Sequence, residues 1–147
     1  MKYLKIVFAI VILFSALQAK SQSNYSSALS GFENEYQNCL DKGDNMLGCS
    51  QQYYQQLDGL LQSVLKDLKT SMKVSQRTTF RNEQTAWTQK KEAYFRQLPK
   101  SVKEDNEDLS GADLQMVILD KKSEFLIERI NELIGMGGDI GDSGDGN

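Results

Sequence analysis

The sequence contains no histidine. Its absence removes the commonest general base, the commonest zinc ligand and the usual switch near neutral pH. A serine triad of the usual kind cannot be assembled without it. Carboxylates remain the only acid/base candidates, and Glu83, Glu92, Asp120 and Glu124 are the ones on helix-like stretches. All four lie among polar or basic neighbours, so solvated charge is their expected role. No nucleophile stands beside a base, so no enzyme activity and no cofactor or metal is expected. No glycine-rich loop follows a strand-like segment, which excludes a phosphate cradle. No internal repeat of solenoid length recurs. Proline occurs once, at Pro99, leaving long stretches free to be helical.

Of 147 residues, 39% are hydrophobic and 25% charged, as expected of one small globular domain. Residues 1–21 stand apart. Lys2 and Lys5 precede Ile6 to Leu17, a nearly unbroken apolar run, and Ala19-Lys20-Ser21 offers small residues at a cleavage site. This is the order of a secretory signal peptide, with cleavage expected after Ser21. The apolar run is short of the roughly 20 residues a membrane span needs. The expected location is therefore periplasmic or secreted, with no membrane span after cleavage. Removing residues 1–21 leaves 14 basic and 20 acidic residues, a net charge of −6. That disfavours nucleic acid, which needs clustered Lys and Arg, and is compatible with a basic protein partner.

Cys39 and Cys49 are the only cysteines. In an oxidising compartment such a pair is most simply a disulfide. A redox pair is more typically separated by two residues, and a metal site would need further ligands.

Hydrophobic spacing divides the chain into helices. Gln22 to Ser30 reads as a polar, frayed lead-in, and Leu29, Phe32 and Tyr36 suggest a short first helix ending near Leu40. Asp41 to Asn45 has turn chemistry around Gly43, and Asp44 or Asn45 is placed to cap the next helix. Leu57, Leu61, Val64, Leu68 and Met72 then recur at steps of three and four, predicting a core-facing helix from Leu47 to Met72. Lys73 to Thr79 is polar, with Ser75, Thr78 and Thr79 as possible caps. Phe80, Trp87, Tyr94 and Leu98 form a stripe on a third helix, from Thr78 to Leu98, that Pro99 is expected to end. Lys100 to Asp108 reads as an exposed loop. Ser110 to Asp113 resembles a capping box, and Leu114 to Ile134 supplies a fourth apolar stripe. Gly135 to Gly138 is expected to stop that helix, and residues 136–147 to be a disordered Gly/Asp-rich tail. The architecture predicted is an all-α bundle of three long helices plus a short N-terminal one, over 31–135. The disulfide would staple its first hairpin.

Three blocks resemble a known family. Cys39, Asp44-Asn45-Met46, Cys49 and the Tyr53/Tyr54 pair are similar to its N-terminal Cys and Tyr segment. Glu83-Gln84-Thr85-Ala86-Trp87, followed by Lys91-Glu92-Ala93, resembles its central Ala-Gln-x-Ala-Trp…Arg-Asp-Ala block. Arg129 to Leu133 resembles its closing Arg…Glu-Leu. The family is the lysozyme inhibitor LprI-like family, and the likeness runs from about residue 36 to 134. It implies an exported helical protein that binds and inhibits lysozyme, with Gln84, Trp87, Arg129 and Leu133 as motif residues of the core. Glu104, Asp105, Glu107 and Asp108 would then present negative charge to a basic lysozyme. The alternative is an envelope adaptor or assembly protein that binds another exported protein through exposed aromatics. The sequence departs from the family where relatives carry a second cysteine pair, one position of which falls at Phe95. Phe95 is therefore expected to be buried, its packing standing in for a crosslink.

Overall fold

The computed structural model describes residues 24–142, with side chains described up to residue 137. The expected signal peptide and residues 143–147 of the expected tail lie outside the described residues. Within them the chain forms four helices and no strand: α1 (24–40), α2 (Met46–Ser71), α3 (Val74–Asp105) and α4 (Gly111–Asp142). The all-α bundle follows from the near absence of proline and the repeated spacing of apolar residues at three and four.

The core is a seam between α2 and α4. Leu57, Leu61, Val64 and Leu68 from α2 meet Leu126, Ile130 and Leu133 from α4, all of them buried. Each set repeats at three and four residues, so both stripes face one another along the helices. Ser50 and Ser123 are also buried. Their small side chains let backbones approach where the polar end of the seam begins. The two-residue link between α2 and α3, and the short one between α3 and α4, make successive helices antiparallel. α2 and α4 therefore run in the same direction, with Met72 and Met136 at the same end.

α1 lies antiparallel on α2. Tyr25 donates to Asp67 near one end, and Tyr36 stacks on Tyr53 at 4.5 Å near the other. The disulfide joins Cys39 to Cys49 across the turn between them, with 5.8 Å between Cα atoms. Gly43 makes that turn at φ 73, which a side-chain-bearing residue rarely adopts. Asn45 caps α2 by accepting from the Gly48 N–H at 3.1 Å. α1 also starts earlier than expected. Residues 24–30, read as a frayed lead-in, are helical because Tyr25, Ala28 and Leu29 pack on the core and carry the apolar stripe back.

α3 is longer than its sequence pattern at both ends. It begins at Val74, inside the expected polar link and one turn before the expected start at Thr78. Gln76 Oε1 takes the Lys73 N–H at 3.2 Å, so none of Ser75, Thr78 or Thr79 serves as the cap. It also runs through Pro99 instead of ending there. A proline inside a helix costs about 3 kcal/mol. Leu98 and Val102, both buried on either side of it, offset this at about 1.5–3 kcal/mol each. Lys100 to Asp105, read as loop, are therefore helix. α4 likewise passes the expected stop at Gly135 and continues to Asp142, with Met136 packed against the core. Gly59, inside α2, is exposed with open space beside it.

Candidate partner-binding surfaces

Among the described residues two polar nodes tie the helices together, and three surface features bear on partner binding. The first node is built from the motif residues. Arg129 on α4 is 6% exposed and reaches α3. Its Nη2 donates to Gln84 Oε1 at 2.9 Å and its Nη1 to Glu132 Oε2 at 2.8 Å. The guanidinium lies 5.6 Å from the Trp87 ring centre, in cation–π range. Its Nε is buried without a hydrogen-bond partner. A guanidinium so placed has lost most of its water, and among the described residues its charge is matched only by Glu132 at the surface. Leu133, one turn on, is fully buried in the seam. Gln84, Trp87 and Arg129 thus come together and fasten α3 to α4, while Leu133 belongs to the α2–α4 seam.

The second node was not anticipated. Tyr36 on α1 donates to Asp120 Oδ1 on α4 at 2.7 Å. Its only proton is then committed, so Ser50 on α2 donates to the Tyr36 oxygen at 3.0 Å. Burial pushes the Tyr36 hydroxyl up to about 12, with Asp120 acting in the same direction and the Ser50 hydrogen bond against it. Asp120 is a half-buried acceptor joining three helices, not the solvated charge expected of it. The usable signal was its place: it falls three residues before Ser123 and six before Leu126, on the edge of the buried stripe. Glu83, Glu92 and Glu124 are exposed as expected, Glu124 pairing with Lys121 at 3.0 Å.

The first surface is the connection between α3 and α4. Glu104, Asp105, Glu107 and Asp108 are all exposed there. It is a built turn. Lys103 Nζ donates to the carbonyls of Glu107 and Leu109, and Asn106 Nδ2 to that of Val102 at 2.9 Å. Gly111 enters α4 at φ 54. Four carboxylates are thereby held on a short tip, with only Glu104 engaged, at 3.7 Å from Lys100.

The second surface is an aromatic cluster at the α3–α4 interface. Phe125 lies 5.1 Å from Tyr94, 5.6 Å from Trp87 and 5.8 Å from Phe95, and Phe95 reaches Tyr54 of α2 at 6.4 Å. Lys90, Lys91 and Lys122 stand over these rings. Phe95 is half-buried, short of the full burial expected of it, and its ring is covered by Lys91 and Lys122 instead of by aliphatic core. Trp87 and Tyr94 are half-buried too, so the third-helix stripe is core only at Phe80 and Leu98.

The third is a groove of about 340 Å³ between α2 and α3, floored by Leu65 and Phe80 and flanked by Lys69, Arg77 and Arg81. Among the described residues no group of three or more His, Cys, Asp or Glu could hold a metal ion, and no helix is long and apolar enough to cross a membrane. The family model described as lysozyme inhibitor LprI matches residues 37–133, about two thirds of the chain. No curated protein and no solved structure matches it.

Proposed function

The chain belongs to the lysozyme inhibitor LprI family, and from that premise we propose that it is an exported binding protein that inhibits a lysozyme-type muramidase by occluding its cleft. The family match over 37–133 carries this reading, because it runs from the end of α1 through α2 and α3 into α4 and includes every residue of the Gln84–Trp87–Arg129 node. The signal-like residues 1–21 supply the route to the compartment where such enzymes act. Lysozymes are usually basic, so the chain without residues 1–21, at a net charge of −6, gains long-range attraction and a faster encounter. The exposed carboxylates of the α3–α4 tip concentrate part of that charge.

The adaptor alternative relied on exposed aromatics. No aromatic side chain among the described residues is exposed, and the cluster around Phe125 is closed by its own rings and lysines. The inhibitor reading is tested by adding the purified mature protein to lysozyme and following the clearing of a cell-wall suspension. Slowed clearing that weakens with added salt is expected. Normal clearing against several lysozyme types at low salt would overturn it.

A further inference from the structure

We infer that the N-terminal half of α3 is the part that enters the muramidase cleft, with Arg77 and Arg81 meeting the enzyme's catalytic carboxylates. This deepens the proposed function and rests on it. A glycosidase of this kind works through a pair of carboxyl groups flanking the scissile bond. A protein that occludes the cleft must cover those groups. The acidic tip of Glu104, Asp105, Glu107 and Asp108 is poorly suited to do so, because like charges brought together in a water-poor cleft repel strongly. The tip can draw a basic enzyme in, but another surface has to meet its carboxylates.

α3 provides it. Between Val74 and Asp105 it carries seven basic and four acidic residues, a net charge of +3, whereas the chain without residues 1–21 carries −6. Its first half stands out from the bundle. From residue 74 to 89 only Phe80 is buried, while Gln84, Trp87 and Thr88 are half-buried. A helical ridge of this kind fits an elongated cleft. Arg77 and Arg81 are one turn apart, which sets their Cβ atoms about 5–6 Å from each other. Retaining glycosidases hold their carboxyl groups about 5–5.5 Å apart, a separation that two arginine side chains rooted one turn apart are long enough to span. Arg77 Nε donates to the Met72 carbonyl at 3.2 Å, which holds the side chain and leaves both Nη groups to a partner. Arg81 and Lys69 form no ion pair or side-chain hydrogen bond among the described residues. The groove beside the ridge, with its apolar floor of Leu65 and Phe80, can receive a side chain from the cleft wall. An anionic membrane is a poorer match, since these apolar groups are recessed where a bilayer would need them to protrude.

The experiment compares two charge-reversed variants of the mature protein in the clearing assay. Lys69→Glu/Arg81→Glu alters two side chains without intramolecular partners, and Glu104→Lys/Asp105→Lys alters the tip. The first makes the chain more acidic, so general attraction to a basic enzyme rises. The inferred site predicts the opposite: the concentration for half-inhibition rises at least about tenfold. The tip variant should change it by less than about threefold and mainly flatten its salt dependence. Arg81→Gln, a milder change, should show an intermediate loss, and equal thermal midpoints check that each variant is folded. If Lys69→Glu/Arg81→Glu inhibits as well as the unaltered chain, the assignment falls and the inhibitor reading stands. If the unaltered chain fails to inhibit, both fall. Capture by anionic lipid vesicles through these residues, with inhibition unaffected, would also overturn the assignment.

Discussion

α2 and α3 both pack on α4, and they do so by different physics. The α2–α4 contact is a dry seam of aliphatic side chains, in which Leu57, Leu61, Leu126 and Ile130 have no exposed surface at all. The α3–α4 contact covers fewer residues and consists of half-buried aromatic rings, lysines above them and one buried arginine held by Gln84 and Glu132. Aliphatic burial is strong and indifferent to direction. Ring edges, a guanidinium and an amide are weaker per contact but fix position and rotation. The seam therefore supplies most of the stability. The motif residues set where α3 lies and which side of it faces the solvent. That explains why the residues resembling the family blocks are the ones that hold α3. It also explains how a helix with only Phe80, Leu98 and Val102 buried keeps a fixed place on α4.

The contrast is tested hardest in the seam. Leu126→Ala should remove about 3–4 kcal/mol of unfolding free energy, because the side chain is fully buried between two helices that cannot easily close the space. Chemical denaturation followed by circular dichroism measures it. A loss below about 1 kcal/mol would mean that the seam is not where stability resides.

Phe95→Ala probes the other contact. Full burial of Phe95 would give a loss of about 3–5 kcal/mol. Its half-buried position between Tyr54, Tyr94 and Phe125 lowers the expected loss to about 2 kcal/mol. A loss equal to that of Leu126→Ala would erase the difference between the two contacts. Such a result would make the aromatic cluster a second core.

The seam was legible in the sequence because aliphatic residues at steps of three and four on α2 and α4 leave little choice of face. A turn at Gly43 and a cap at Asp44 or Asn45 were legible as local geometric demands, and Asn45 is the cap; the Cys39–Cys49 pairing was legible because the sequence holds two cysteines and a signal-like stretch at 1–21. Helix ends were less so. Pro99, Gly135 and the polar stretch from Lys73 to Thr79 each signal a break, but local cost lost to burial of Val102, Met136 and Phe80 further along. The stripe through Trp87 was read as core because spacing reports the face of a helix and not how much covers it. α3 has a neighbour on that face only in part. The Tyr36–Ser50–Asp120 node joins positions 84 residues apart, and no local pattern in the sequence announces such a contact.

That node lets the comparison be extended to α1, where the expected effect is smallest and its pH dependence is diagnostic. Tyr36→Phe keeps the stacking on Tyr53 but removes the hydroxyl that joins Ser50 and Asp120. A loss of about 1 kcal/mol is expected near neutral pH, with the half-buried Asp120 able to turn partly to water. At high pH the two proteins should converge. The folded state holds the Tyr36 proton until about 12, whereas an unfolded tyrosine loses it near its ordinary value of about 10. Between those values the native state binds the extra proton, so raising the pH lowers stability. The contribution is complete below pH about 10 and lost as pH rises towards 12. Tyr25, also pushed up to about 12 by burial and by its bond to Asp67, adds the same trend to both proteins and cancels in their difference. Denaturation of the pair at several alkaline pH values therefore isolates Tyr36. A difference that stays constant up to pH 12 would mean that its hydroxyl is not held in the folded state. α1 would then be attached by the disulfide, its apolar contacts and the exposed hydrogen bonds of Tyr25 and Glu35.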